Sequence, residues 1–223
     1  MADFRTHLGV AAAGGVVVAH GGWQAGLWDA WQALPMLALV AFGGILPDID
    51  ADSSKAIRLV FNLLAVIAVV AGALLLQGWL SLGGLLLACV GLYLGVRHLG
   101  GALFARLTVH RGIWHSLLAA ALCGLATTAL SHHLLAQPDV LAWGHGMALS
   151  LGFVLHLLLD ELYSVDLTGA RIKRSFGSAL KPLDWRSPGN SLVMLATGAN
   201  LLPWLPAWAG LGSLLDQGAA LWR

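Results

Sequence analysis

Four short patterns in this chain of 223 residues bring imidazoles and carboxylates together at spacings suited to a divalent ion. His156-Leu-Leu-Leu-Asp160 has the i, i+4 spacing that sets two side chains on one helical face, about 5–6 Å apart. Leu46-Pro47-Asp48-Ile49-Asp50 stops a helix at proline and offers two carboxylates two residues apart, which in an extended segment point the same way. Asp52 to Ser54 fit equally well as an N-cap for a helix beginning near Lys55. His110-Arg111-Gly112-Ile113-Trp114-His115-Ser116 has a spacing that does not align its histidines on one helix. It works with His110 and Arg111 in a loop and His115 in the first helical turn, Arg111 then forking onto phosphate oxygens or snorkelling to a headgroup. His7 precedes the first apolar run, where a lone histidine also serves as a cap or a solvent residue.

The elements that must position these residues are apolar. Stretches free of Asp, Glu, Lys and Arg run over 6–28, 30–47, 59–96, 112–138, 140–159 and 187–215. A spanning helix needs about 20 residues, so 59–96 holds two, broken near Gln77-Gly78. The expected fold is an all-α, polytopic integral membrane helical bundle with about seven membrane segments. The first two, near 8–22 and 33–47, are short and rich in Gly and Ala. Residues 97–109 read as irregular, and Pro203 and Pro206 should kink or end the last span, leaving an interfacial helix with Trp222 at headgroup level. Arg5 before an apolar run also fits a signal peptide, although no A-x-A site closes it. The chain reads as one membrane-embedded domain, with 161–189 as its largest polar loop.

Composition agrees. Hydrophobic residues make up 58% and charged residues 10%, with a mean hydropathy of +0.80; a soluble fold would expose far more apolar surface than monomers tolerate. A net charge of +1 offers no field for collecting phosphates, so nucleic acid is not an expected partner. The eleven acids comprise ten Asp and a single Glu. Alternating the loops places Arg5, Lys55, Arg58, Arg97, Arg106, Arg111, Arg171, Lys173, Arg174, Lys181 and Arg186 on one side, which the positive-inside rule makes cytoplasmic. His7, Asp48, Asp50, His110, His115, His156 and Asp160 fall at that same end. His20, His132, His133 and His145 lie toward the other, and His145 is about 16 Å along a helix from His156, too far to share an ion. His132-His133 reads as a wet loop or headgroup contact, and Cys89 and Cys123 form neither a disulfide framework nor a metal pair.

The order of these motifs resembles the LexA-regulated, inner-membrane, membrane-bound metal-dependent hydrolase family of the YdjM type: an N-terminal His, LPDID, HRGxxHS and a later HxxxD. The likeness extends to the loop at Pro182. More distantly the succession is similar to the zinc-dependent phospholipase C and single-strand nuclease superfamily, from which it departs in lacking an N-terminal Trp ligand and in having one clear HxxxD. That departure points to one or two ions per chain. The resemblance implies a hydrolase in the bacterial inner membrane.

His and Asp donors without Cys suit zinc, or manganese. The expected ligands are His7, Asp48, Asp50, His110, His115, His156 and Asp160. Asp50, Arg111 and Ser116 are the candidate catalytic residues, Asp50 bridging or acting as general base and Ser116 standing behind the ligands. Arg111 and Lys181 would hold the substrate, a lipid or lipid-linked phosphate cleaved by an activated water. Two rival readings use the same ligands: a divalent-cation or proton transporter, which lacks a polar path across 59–96 and 118–131, and a structural metal site with a closed shell. An intramembrane protease would need an HExxH that the chain lacks.

Overall fold

A computed structural model describes residues 3–50, 55–107, 112–166, 171–172, 177 and 179–220. The helices are α1 (Phe4–Gln24), α2 (Ala30–Gly43), α3 (Lys55–Leu76), α4 (Leu82–Leu94), α5 (Gly101–Leu107), α6 (Leu117–His133), α7 (Asp139–Leu162), α8 (Pro188–Leu201) and α9 (Trp208–Ala220). Two two-residue strands, β1 (Val165–Asp166) and β2 (Arg171–Ile172), pair antiparallel with Val165 opposite Ile172.

The helices begin where short polar side chains can take up their first free N–H groups. Asp3 accepts from Thr6 N at 2.8 Å and starts α1. Asp29 and Gln32 form a reciprocal capping box on α2, and Ser81 caps α4. The break expected at Gln77-Gly78 lies between α3 and α4.

Several expectations need correcting. The first helix is longer than 8–22 because its cap lies at Asp3. Residues 97–107 are helical: a π-helical stretch over Gly95–Gly100 continues α4 into α5, as an apolar segment without proline allows. Pro47–Asp50 is a 3-10 turn rather than extended chain, so the alternation argument for Asp48 and Asp50 does not apply to that backbone. By length and composition three stretches can cross a membrane, Lys55–Leu76, Leu82–Phe104 and Asp139–Leu162. A fourth is available if α8 and α9, bent by 95° at Pro203 and Pro206, count as one broken span. Seven crossings are therefore not reached on these criteria, because α2 and α6 have only 14 and 17 residues and α1, although 21 residues long, is not apolar enough.

The fold divides into two units, Met1–Pro47 with Arg111–Arg223, and Asp48–His110. In the second, α3, α4 and α5 pack together, and Tyr93 donates to Asn62 Oδ1 at 2.5 Å, a polar tie between α3 and α4. In the first, α7 is the central helix and meets α1, α2, α6 and α9. Its core joins Ala19, Trp28, Met36, Val40, Leu141, Trp143, Ala148 and Leu214, with Trp28 Nε1 donating to Ala19 O at 2.9 Å. Close helix approach depends on glycine. A Cβ at Gly152 would overlap the Val40 carbonyl of α2, and one at Gly43 would overlap the Leu149 carbonyl of α7. The two backbones touch, as small-residue seams allow in apolar bundles.

Candidate metal centre

The seam between α2 and α7 governs what happens one turn further along α7. The first carbonyls beyond the end of α2 have no helical partner. Gly44 O faces His156 Nδ1 at 2.8 Å, and Leu46 O accepts from Trp114 Nε1 at 2.8 Å. A carbonyl only accepts, so the His156 proton sits on Nδ1 and the lone pair on Nε2 is turned toward the cluster. The Trp114 tie holds the neighbouring His115 in the same region.

Four residues converge there: His7 from the first turn of α1, His115 from the segment entering α6, and His156 and Asp160 from the last turns of α7. None is more than 1% exposed. His7 Nε2 stands 3.3 Å from Asp160 Oδ1, and His115 Nε2 stands 4.0 Å from Oδ2. The His7 and His156 rings stack with centroids 3.6 Å apart and planes 12° apart, while His115 meets His156 edge-on at 5.9 Å. Ligand atoms of His7, His156 and Asp160 all lie within 4.8 Å of one another.

This arrangement fits a metal ion on two counts. Bonds of about 2.0–2.1 Å in a tetrahedral site set neighbouring ligands about 3.3–3.4 Å apart, which matches the His7 to Asp160 separation. His7 is fully buried, yet its Nε2, the atom that faces Asp160, makes no hydrogen bond among the described residues; a buried polar atom left this way is costly, and an ion there would satisfy it. Two imidazoles and one carboxylate are the donor set of open, three-ligand sites.

The capping role open to His7 belongs to Asp3, whose carboxyl the Thr6 hydrogen bonds hold below its usual range. His115 precedes the helix rather than entering its first turn, because Ser116 is the N-cap of α6. The Ser116 hydroxyl accepts from Ala119 N at 3.2 Å and donates to Ile113 O at 2.5 Å, so it fixes the start of α6 just after His115. Asp48, half-buried, lies in the 3-10 turn Pro47–Asp50. His110, Arg111 and the Asp50 side chain lie outside the described residues, as do Asp52 to Ser54, Lys173, Arg174 and Trp222. Three further histidines of the same unit make other contacts. His145 pairs through Nδ1 with Ser131 Oγ at 2.7 Å, His132 faces Asp139 at 3.6 Å, and His133 packs edge-on against Trp204.

Lys181 lies at the site end of the first unit, where its carbonyl accepts from Leu117 N and its ammonium reaches Asp184 at 3.3 Å. Pro182 O takes Leu118 N, so the polar loop closes over the first turn of α6. Glu161 holds the other side: its carboxylate accepts from Gly177 N, and from Ala179 N at 3.2 Å. Sequence reasoning missed this role, although Glu161 is the only glutamate in the chain and follows a proposed ligand. Glu161→Ala removes both acceptors, at a cost of about 1.5–3 kcal/mol. The expected readout is faster tryptic cleavage after Arg186, with zinc content unchanged.

A family model described as YdjM inner membrane protein matches residues 1–172. No curated protein and no solved structure matches the chain.

Proposed function

The chain belongs to the YdjM inner membrane protein family, and on that premise we propose that it is a membrane-embedded, metal-dependent hydrolase that cleaves a phosphoester of an amphiphilic, lipid-linked substrate. The observation that carries the reading is the buried group of His7, His156 and Asp160, whose donor atoms converge within 4.8 Å. Three protein donors leave a coordination position open, which separates a reactive site from a closed structural one. Zinc suits this set, and manganese is the second choice. Bound there, the ion supplies Lewis acidity that brings a water toward a neutral pKa and offsets charge on phosphoryl oxygens.

The chain's own residues supply the rest. Gly44 O orients His156 through Nδ1, Asp160 presents one oxygen toward His7 and the other toward His115, and the stacked rings exclude bulk water from the donors. A carboxylate with an imidazole at each oxygen accommodates one ion or two. The sequence motifs add Asp48, Asp50 and His110 as candidate ligands of a second ion, with Asp50 as general base and Arg111 and Lys181 on the phosphate. The site faces the cytoplasm by the positive-inside rule.

The test is metal analysis of the detergent-purified protein, paired with phosphate release from a panel of lipid phosphates, lipid phosphodiesters and their water-soluble headgroups. The expected result is one or two zinc ions per chain and turnover confined to the amphiphilic members. Zinc retained without any turnover would turn the reading to a structural site. A protein that stays metal-free in excess zinc would end it.

A further inference from the structure

The 95° bend between α8 and α9 leaves a short helix whose residues divide into three sectors. At about 100° per residue, Gly210, Leu214, Gly218 and Leu211 share one sector about 100° wide. With Ser213 at the sector's polar border, these are the buried and half-buried positions of α9. A Cβ at Gly210 would lie 2.6 Å from Asp139 Cβ, so this sector packs against the first turn of α7. A second sector holds Trp208 and Leu215, which are 58% and 52% exposed. The third holds Ser213, Asp216 and Gln217, where Gln217 Nε2 donates to Ser213 Oγ at 2.8 Å.

A helix in water needs two such sectors, a packed one and a polar one. A third, apolar and exposed, needs an apolar solvent on that side. We propose that α9 lies in the membrane interface, with Trp208 and Leu215 toward the acyl chains and Asp216 and Gln217 toward water. It sits at the opposite end of α7 from the histidine cluster. α9 meets α7 near Asp139 and Trp143: Trp143 Nε1 donates to Ala207 O at 3.2 Å, and the rings of Trp143 and Trp208 are 5.0 Å apart. Asp160 comes 21 residues after Asp139, about 31 Å along the helix, which is the thickness of a bilayer core.

The apolar sector does not end at α9. The residues before it run through exposed Trp204 to the exposed Leu192, Val193 and Leu195 of α8, continuous with surface that an inner-membrane protein turns to lipid. Trp23 and Trp31, also exposed, flank the α1–α2 connection whose Trp28 shares a core cluster with Trp143 and Leu214. Tryptophans gathered at one end of a bundle mark the headgroup level. Residues 187–220 contain no Lys or Arg. Burial of apolar area, rather than attraction to anionic headgroups, therefore holds the helix down.

The experiment places single cysteines at Leu215, Gln217 and Trp185 in a background where Cys89 and Cys123 are replaced, in the full chain reconstituted into vesicles. With nitroxide labels, position 215 is expected to favour collision with oxygen and position 217 with a water-soluble nickel chelate. The same depths are expected in zwitterionic vesicles and in vesicles carrying anionic lipid. An impermeant maleimide should label positions 217 and 185 from opposite sides. Nickel contact at both α9 positions would overturn the proposal in favour of a soluble surface. Oxygen contact at both would indicate a re-entrant span, and spin–spin broadening at 215 a second copy of the chain. Labelling of 217 and 185 from the same side would overturn the placement opposite the histidines. None of these readouts depends on the hydrolase reading.

Discussion

Asp160→Asn is expected to strip the purified protein of its metal while leaving it folded in the membrane. The substitution keeps the shape of the side chain and removes the charge that faces His7 at 3.3 Å and His115 at 4.0 Å. Loss of an outer hydrogen bond to a metal ligand typically costs 10–100-fold in affinity, so loss of the anionic donor itself should exceed about 100-fold. Zinc titration against a competing chelating dye measures this directly. Unchanged zinc affinity would remove Asp160 from the ligand set and the His7, His156 and Asp160 group with it. The alternative is a buried ion pair of Asp160 with protonated His7 that needs no metal, and a chelator separates the two. A metal site loses thermal stability when stripped, in proportion to the logarithm of free zinc over its dissociation constant, whereas an ion pair does not respond.

The second large effect is expected at a residue that carries no donor atom. Gly152→Ala sets a methyl group inside the Val40 carbonyl oxygen, with the Val40 carbonyl carbon and Gly44 N less than 3.0 Å away. All three atoms are backbone, so no side chain can swing aside, and α2 and α7 must separate. Overpacking of this kind costs about 3 kcal/mol at the upper end of its usual range. His156 lies one turn beyond Gly152, so the separation also draws Gly44 O away from His156 Nδ1. Reduced yield in the membrane is expected together with weakened zinc binding in the surviving fraction. Gly198→Ala on α8 is the control, since the nearest atom to its new methyl would be Leu122 Cδ1 at 3.9 Å. There the exchange removes backbone freedom from the unfolded chain, and stability should hold or rise by about 0.5–1 kcal/mol. Equal behaviour of the two variants would refute the seam as the device that sets the site.

Particular residues show how much of this was legible from the amino-acid order. The pairing of His156 with Asp160 was, because i, i+4 spacing is a local property of any helix. The break at Gln77-Gly78 and the bend at Pro203 and Pro206 were legible for the same reason. The number of crossings was not: hydropathy marks apolar runs, but α2 and α6 end early at turns and caps that charge-free stretches do not reveal. The π-helical continuation over Gly95–Gly100 carries no side-chain signature. Gly44 escaped notice because it acts through its carbonyl, and Glu161 because its partners are the backbone N–H groups of Gly177 and Ala179.

The sequence by itself determined that the chain is helical and apolar and that its candidate metal donors are histidine and aspartate; composition, periodicity and donor type are properties of residues and their near neighbours. Only the tertiary structure decided that His7, His115, His156 and Asp160 meet, and that His145, His132 and His133 do not join them. That convergence draws on segments more than a hundred residues apart. It depends on how closely α2 can approach α7, a distance set where glycine lets one backbone rest on another.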